Sequence, residues 1–203
     1  ATLAVPSLIS STIIEINLII SKSYATYFDE GMVTLLNSAN RTWQLPLGLF
    51  AQSIGVAILP TLSEKFASGS YENFKHLLYK GLRVVYILSM PTSIIMIILS
   101  QDIFRAMFKW GGFSEVNVFY GGLCLMGYSA ALIFASVISL MTRAFYSIHN
   151  SKTPLLCSLF GIGANYLFNY LFNRFSDIGI AGTALAYSIS SFVNMIALIL
   201  AFK

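Results

Sequence analysis

An all-α, polytopic bundle of membrane-spanning helices is the fold class this sequence predicts, and three observations carry that expectation. Of 203 residues, 57% are hydrophobic and only 10% charged, whereas a soluble domain typically carries about 25% charged residues. The mean hydropathy is +0.76. Apolar stretches long enough to cross a bilayer core, which takes about 20 residues, follow one another along the chain with little between them.

Breaks at charged or Gly/Pro-containing junctions divide the chain into six candidate spans, at residues 3–28, 32–59, 77–99, 116–146, 154–175 and 178–202. The first is too polar for a passive anchor. Ser7, Ser11, Glu15 and Lys22 share one face, and Ser10, Asn17, Ser21 and Tyr24 another. Glu15 and Lys22 either line a cavity or hold helices together. A tight FDEG turn leads into the second span.

The second span holds NSANRTWQLPLG, and Arg41 lies in its middle. Ten residues at about 1.5 Å each place it about 15 Å from the Gly31 turn, near the centre of a core about 30 Å thick. A guanidinium there costs about 2.5 to 3.5 kcal/mol on insertion scales, so it needs a partner or water. Asn37, Arg41, Gln44, Gly48 and Gln52 follow at i, i+4, i+7, i+11 and i+15, a polar stripe on one helix face. Pro46 removes a backbone donor and is expected to kink the helix and open a cavity. Two readings of Arg41 are open at this point. One is a structural ion pair, with Glu15 on the first span as partner. The other is an anion-binding group in a watered cavity, where the guanidinium fork matches phosphate bidentately.

Amphipathic connections at 61–76 and 101–115 flank the third span. In the second of them, IFRAMFKWGGFS sets Phe104, Met107 and Phe108 on one face with Arg105 and Lys109 beside them, the pattern of a short helix lying in the interface. Residues 116–146 read as a single fourth span. Arg143, near its end in MTRAFYSIHNSKTP, reads as an interfacial anchor whose charge snorkels. In the fifth span NYLFNYLFN places Asn165, Asn169 and Asn173 at i, i+4 and i+8, an amide ladder. It serves either interhelical hydrogen bonding, the usual use of amides in membranes, or coordination of a cation. Small residues at Ala51 and Gly55, Gly161 and Gly163, and Gly179 and Gly182 are expected to let helices approach closely.

Lys65, Lys75, Lys80, Arg83 and Lys152 fall on one side of this arrangement, while Arg105, Lys109 and Arg174 on the other are mixed with acids. The positive-inside rule puts the first group, and with it both ends of the sequence, at the cytoplasmic face. Basic loops beside anionic lipid account for the net charge of +4 without nucleic acid. Both ends, ATLAVPSLISS and ALILAFK, read as cuts through a larger membrane protein. Cys124 and Cys157 sit in apolar segments without metal-ligand spacing and read as buried packing. His76 and His149 have no partner spacing. No Ser/His/Asp set, metal cluster or phosphate-binding glycine loop emerges, so neither an enzyme nor a cofactor is expected.

The strings RTWQLPLGLFAQSIGVAILPTLSEKFASGSYENFKHLLYKGLR, PTSIIMIILSQDIFRAMFKWGGFS, RAFYSIHNSKTP, NYLFNYLF and GIAGTALAYS resemble, in this order, the MurJ (MviN) family of lipid II flippases. Members have fourteen helices in two pseudo-symmetric lobes, within the multidrug/oligosaccharidyl-lipid/polysaccharide exporter superfamily. Residues 1–203 resemble the second lobe, helices seven to twelve. The resemblance implies movement of an undecaprenyl-pyrophosphate-linked peptidoglycan precursor between leaflets of the bacterial cytoplasmic membrane. It also implies a basic cavity between the lobes, with Arg41, just before QLP, among its working charges. Asn37, Gln44, Glu15 and Lys22 are the further candidates for substrate contact. The common A-D-R pattern is Ala39-Asn40-Arg41 here, so a carboxylate is missing. Members thought to bind sodium pair an acid after INLII with amides matching Asn165 and Asn169. This chain has Ser21 in place of that acid, which leaves a coupling cation open as a partner.

Overall fold

A 36-residue helical run from Met32 to Ala67 dominates the N-terminal half of the computed structural model, which describes residues 19–24, 26, 31–109, 113–175 and 178–202. The run is built as α1 (Met32–Pro46), a π-helical segment (Leu47–Gln52) and α2 (Ser53–Ala67). Pro46 ends α1 without breaking the rod. Its missing N–H leaves the Thr42 carbonyl, in the preceding turn, without its regular donor, and the backbone widens to π geometry directly after it. Ser53 Oγ donates to the Gly48 carbonyl five residues back at 3.1 Å, taking up an acceptor that regular α bonding would have served.

At about 1.5 Å per residue the run is about 54 Å long, well beyond a hydrocarbon core of about 30 Å. The stretch 61–76 is therefore helix on both sides of a tight turn. Residues 61–67 complete α2, Gly69 turns the chain at φ 68, and α3 (Tyr71–Ile98) begins two residues later. In a non-glycine residue that φ is strained. After Leu99 the chain forms the short α4 (Ser100–Phe108), whose Phe104 is fully buried against Gly121. Arg105 and Lys109 at the far end of α4 both reach Glu115, at 3.3 and 2.7 Å, in exposed ion pairs.

The fourth span is bent. α5 (Glu115–Ser129), capped by Ser114, and α6 (Ala131–Ser147) meet at Ala130 at 42°. Two serines from other helices capture carbonyls at the bend. Ser93 of α3 donates to Ser129 O at 2.7 Å, and Ser188 to Gly127 O at 2.5 Å. Side chains inserted into the helix bonding ladder are a recognised cause of kinks. α7 (Lys152–Phe175) and α8 (Ala181–Ala201), which carries Ser188, form an antiparallel pair, with Gly182 set against Phe172. Among the described residues, four helices are long and apolar enough to cross a membrane, or five with the bent pair counted as one span. The first candidate span lies almost entirely outside the described residues.

Two apolar clusters hold the bundle. One joins Leu36 and Trp43 of α1 to Phe104, Leu125, Tyr128 and Ala184. The other joins Ala51 and Leu62 to Phe74, Leu140, Phe145 and Leu198. Much of the remaining surface is apolar, with Leu49, Ile98 and Phe175 all more than two-thirds exposed. In water such a surface would aggregate; against lipid it is solvated.

Candidate functional site: a half-open cavity between the helices

An aromatic triad fixes the wall from which the site is built. Trp43 stacks on Tyr128 with centroids 6.2 Å apart and planes at 14°, and both rings meet Tyr187 of α8, at 5.7 and 5.5 Å. The indole N–H donates to Asn40 Oδ1 at 2.8 Å. Asn40, where the family pattern has a carboxylate, is thus the buried acceptor that orients Trp43.

Beside this triad lies a cavity of about 480 Å³, bounded by the α1–π–α2 run, α6, α7 and α8. Gln44 and Gln52 both line it. In an unbroken α-helix eight residues overshoot two turns by about 80°, which leaves Gln44 and Gln52 at opposite edges of the polar stripe. A π segment absorbs about one extra residue, so the eight behave as seven and fall within about 20° of two turns. The π segment therefore puts both amides on the same wall.

Arg143 enters the cavity from α6. To the interfacial anchor read from the sequence its packing adds a contact with another helix. A Cβ built on Gly55 would lie 2.5 Å from both Cδ and Nε of Arg143, so the side chain lies across the face of α2 in a notch that only glycine leaves free. Among the described residues the guanidinium has no hydrogen bond or ion pair. Opposite, Asn194 of α8 lines the same cavity, and its Oδ1 is buried without a partner. Gly161 lets Asn194 approach α7, with a Cβ-to-Cβ spacing of 3.2 Å for an added methyl.

The residues singled out in the sequence separate in space. Gln44 is in the cavity wall. Arg41 stands one turn nearer Gly31, exposed, with no hydrogen bond or ion pair among the described residues, and Asn37 is half-buried one turn further; neither lines the cavity. Lys22 is exposed on residues 19–24 and lies elsewhere. Glu15, the suggested partner of Arg41, lies outside the described residues. Asn165 and Asn169 are buried, and among the described residues they bond within α7 and not across helices. Asn169 Nδ2 donates to the Asn165 carbonyl at 2.9 Å and to Asn165 Oδ1. Asn165 Nδ2 and Ser21 Oγ are buried without partners. Asn173, the third rung, is exposed and lines a cleft with Tyr24, Tyr166, Tyr170 and Arg174. Gly163 has nothing within 4 Å of an added Cβ, so it packs against no neighbour. No group of three or more His, Cys, Asp or Glu suited to a metal occurs among the described residues.

Solved structures define the class to which this arrangement belongs. The chain superposes on the lipid II flippase MurJ in an inward closed conformation with TM-score 0.88 at 25% identity, covering 100% of this chain and 42% of that one. An outward-facing multidrug resistance MATE family transporter of the MOP superfamily shares the fold at TM-score 0.85 and 15% identity, over 98% of this chain and 43% of that one. The bundle is one lobe of a polytopic membrane transporter fold. The chain belongs to the MurJ family: the model of that family, described as lipid II flippase MurJ, matches residues 1–203. Probable lipid II flippases MurJ of Vibrio cholerae and Thermotoga maritima are each 30% identical to it, over 96% and 93% of the chain. The chain spans 37% and 38% of the length of those two relatives.

Proposed function

We propose that the chain is the second lobe of a flippase that moves lipid II, the undecaprenyl-pyrophosphate-linked peptidoglycan precursor, across the bacterial cytoplasmic membrane. Transport from the inner to the outer leaflet proceeds by alternating access. The match of the family model over the whole chain carries this reading. Arg41, exposed and without a hydrogen bond or ion pair among the described residues, is in keeping with it, since such a guanidinium is free to meet an anion in a space completed by the rest of the protein. Asn37 and Gln44 lie within a turn of it on the same helix and extend the polar face, and Glu15 and Lys22 are the further substrate contacts from the first span. Both ends of the sequence face the cytoplasm, because Lys65, Lys75, Lys80 and Arg83 cluster around the α2–α3 turn.

Such a lobe performs no bond chemistry. It needs only to bind the head group differently in its two facing states, so that binding and release shift the population between them. The prenyl tail stays in lipid while the head crosses. For a coupling cation at Asn165 and Asn169 the family's carboxylate is replaced by Ser21, and Glu15 takes its part only if it shares that face; otherwise the membrane potential or another ion supplies the drive.

A second reading, export of another polyprenyl-linked saccharide or of a drug, draws on the fold shared with the MATE transporter. One experiment separates the two. The full-length protein is expressed in bacteria depleted of their own flippase, and lipid II exposed at the outer leaflet is scored for wild type and Arg41→Ala at matched abundance. Wild type restores exposure and the variant does not. Restoration by both makes Arg41 structural, and restoration by neither favours a different cargo.

A further inference from the structure

Arg41 and Arg143 are not two arms of one clamp. Gly55, against which Arg143 lies, is fourteen residues beyond Arg41 on one continuous helical run, a rise of about 20 Å. A single phosphate touches one or the other. The second arginine therefore has its own business in the cavity, and three features of the wall say what kind.

First, the guanidinium is held in place while none of its donors is used by the described residues. Gly55 forms the notch, and Cδ and Nε of Arg143 lie against it, which places the guanidinium while its terminal N–H donors stay uncommitted among the described residues. That is a preorganised oxyanion receptor. Second, Asn194 Oδ1 is buried in the same wall without a donor. An unsatisfied buried acceptor asks for an O–H or N–H from whatever occupies the space. Third, Thr142, Ser190 and the two glutamines ring the space with groups that both donate and accept, and the volume of about 480 Å³ falls in the range of ligand sites.

We propose that this cavity is a second anion site, distinct from Arg41, that binds a phosphorylated, hydroxyl-bearing head group. Arg143 takes the phosphate oxygens, Asn194 accepts from a hydroxyl, and Gly55 is the positioning residue that seats Arg143. In a bilayer this chemistry has two sources: the glycerol-phosphate head of an anionic phospholipid, and the phosphorylated head of a lipid-linked saccharide. The geometry of this lobe alone carries the site, so it stands or falls apart from the transport reading.

The test uses purified full-length protein in phosphatidylcholine nanodiscs. Binding of short-chain phosphatidylglycerol, phosphatidate and a short-chain lipid II is measured for wild type, Arg143→Gln, Arg143→Lys, Gly55→Ala and Asn194→Leu. Arg143→Gln is expected to weaken at least one phosphorylated ligand by about tenfold or more, the scale of a lost charged hydrogen bond, with Arg143→Lys partly restoring it. Gly55→Ala weakens the same ligand although its charge is unchanged, and adds little on top of Arg143→Gln. Asn194→Leu weakens phosphatidylglycerol while sparing phosphatidate, which has no head-group hydroxyl. An effect confined to phosphatidylglycerol identifies a resident lipid, and one confined to lipid II identifies cargo. Equal binding of all ligands by wild type and Arg143→Gln overturns the site. Loss with Arg143→Gln but not with Gly55→Ala overturns the positioning role. Failure here with Arg41→Ala still blocking lipid II exposure leaves the flippase reading intact, and the converse leaves this site intact.

Discussion

The bond between Trp43 Nε1 and Asn40 Oδ1 offers a measurement of what orders the wall between Arg41 and Gln44. Both side chains are buried, Trp43 at 1% and Asn40 at 8% exposure, and the bond is 2.8 Å long. Asn40→Leu strands the indole N–H among Tyr128 and Tyr187, which costs about 1 to 3 kcal/mol for an unmet buried donor. Trp43→Phe strands the amide oxygen at a similar cost, plus the stacking lost with the smaller ring. In the double variant neither orphan exists. Its destabilisation is therefore expected to fall short of the sum of the single variants by about 1 to 2 kcal/mol, within the range of coupling between contacting residues. Reversible unfolding of the full-length protein in a bilayer mimetic, followed around this double-mutant cycle, reads the coupling directly. Additive effects within about 0.5 kcal/mol would refute the reasoning. Asn40 would then be a spectator, and Trp43 would be held by its ring contacts alone.

Further consequences follow for the bend, the register and the packing. Ser93→Ala and Ser188→Ala each leave a carbonyl at the α5–α6 bend without its donor, a loss of about 1 to 3 kcal/mol visible in the same unfolding experiment. If either is neutral, the serines do not support the bend. Gln44→Cys and Gln52→Cys are expected to react together with a water-soluble maleimide, whereas Leu49→Cys, on the apolar outer surface, stays unlabelled. A Pro46→Ala background should favour regular α bonding and lower the labelling at position 52 selectively; unchanged labelling there would mean that Pro46 does not set the π register. Gly121→Ala drives a methyl into the buried Phe104 ring and is expected to cost about 1 to 3 kcal/mol, with Phe104→Leu in the same chain giving part of it back. No relief on adding Phe104→Leu would place the strain elsewhere.

The sequence by itself determined the solvent, the helical class and the presence of five of the spans, three of them within a few residues and two ending six to eight residues short of the helix around the α2–α3 turn, because these follow from local composition and from the length needed to cross lipid. The resemblance to a family was legible too, since it rests on strings such as RTWQLPLG and RAFYSIHNSKTP. Helix interruptions were not. Pro46 signalled an interruption but not the π segment that follows it, while nothing local marked Ala130, where hydroxyls from Ser93 and Ser188, distant in sequence, stabilise the bend. Arg143 shows most sharply where sequence reasoning stops. Read along its own helix it is a charge near a membrane surface, free to snorkel. In the bundle it lies in the notch of Gly55, on a helix that precedes it by more than 80 residues, and lines the same cavity as Asn194 on a third. Periodicity reports which residues share a face of one helix. Which faces meet, and whether a glycine on one makes room for an arginine on another, depends on side-chain shapes brought together only by tertiary packing.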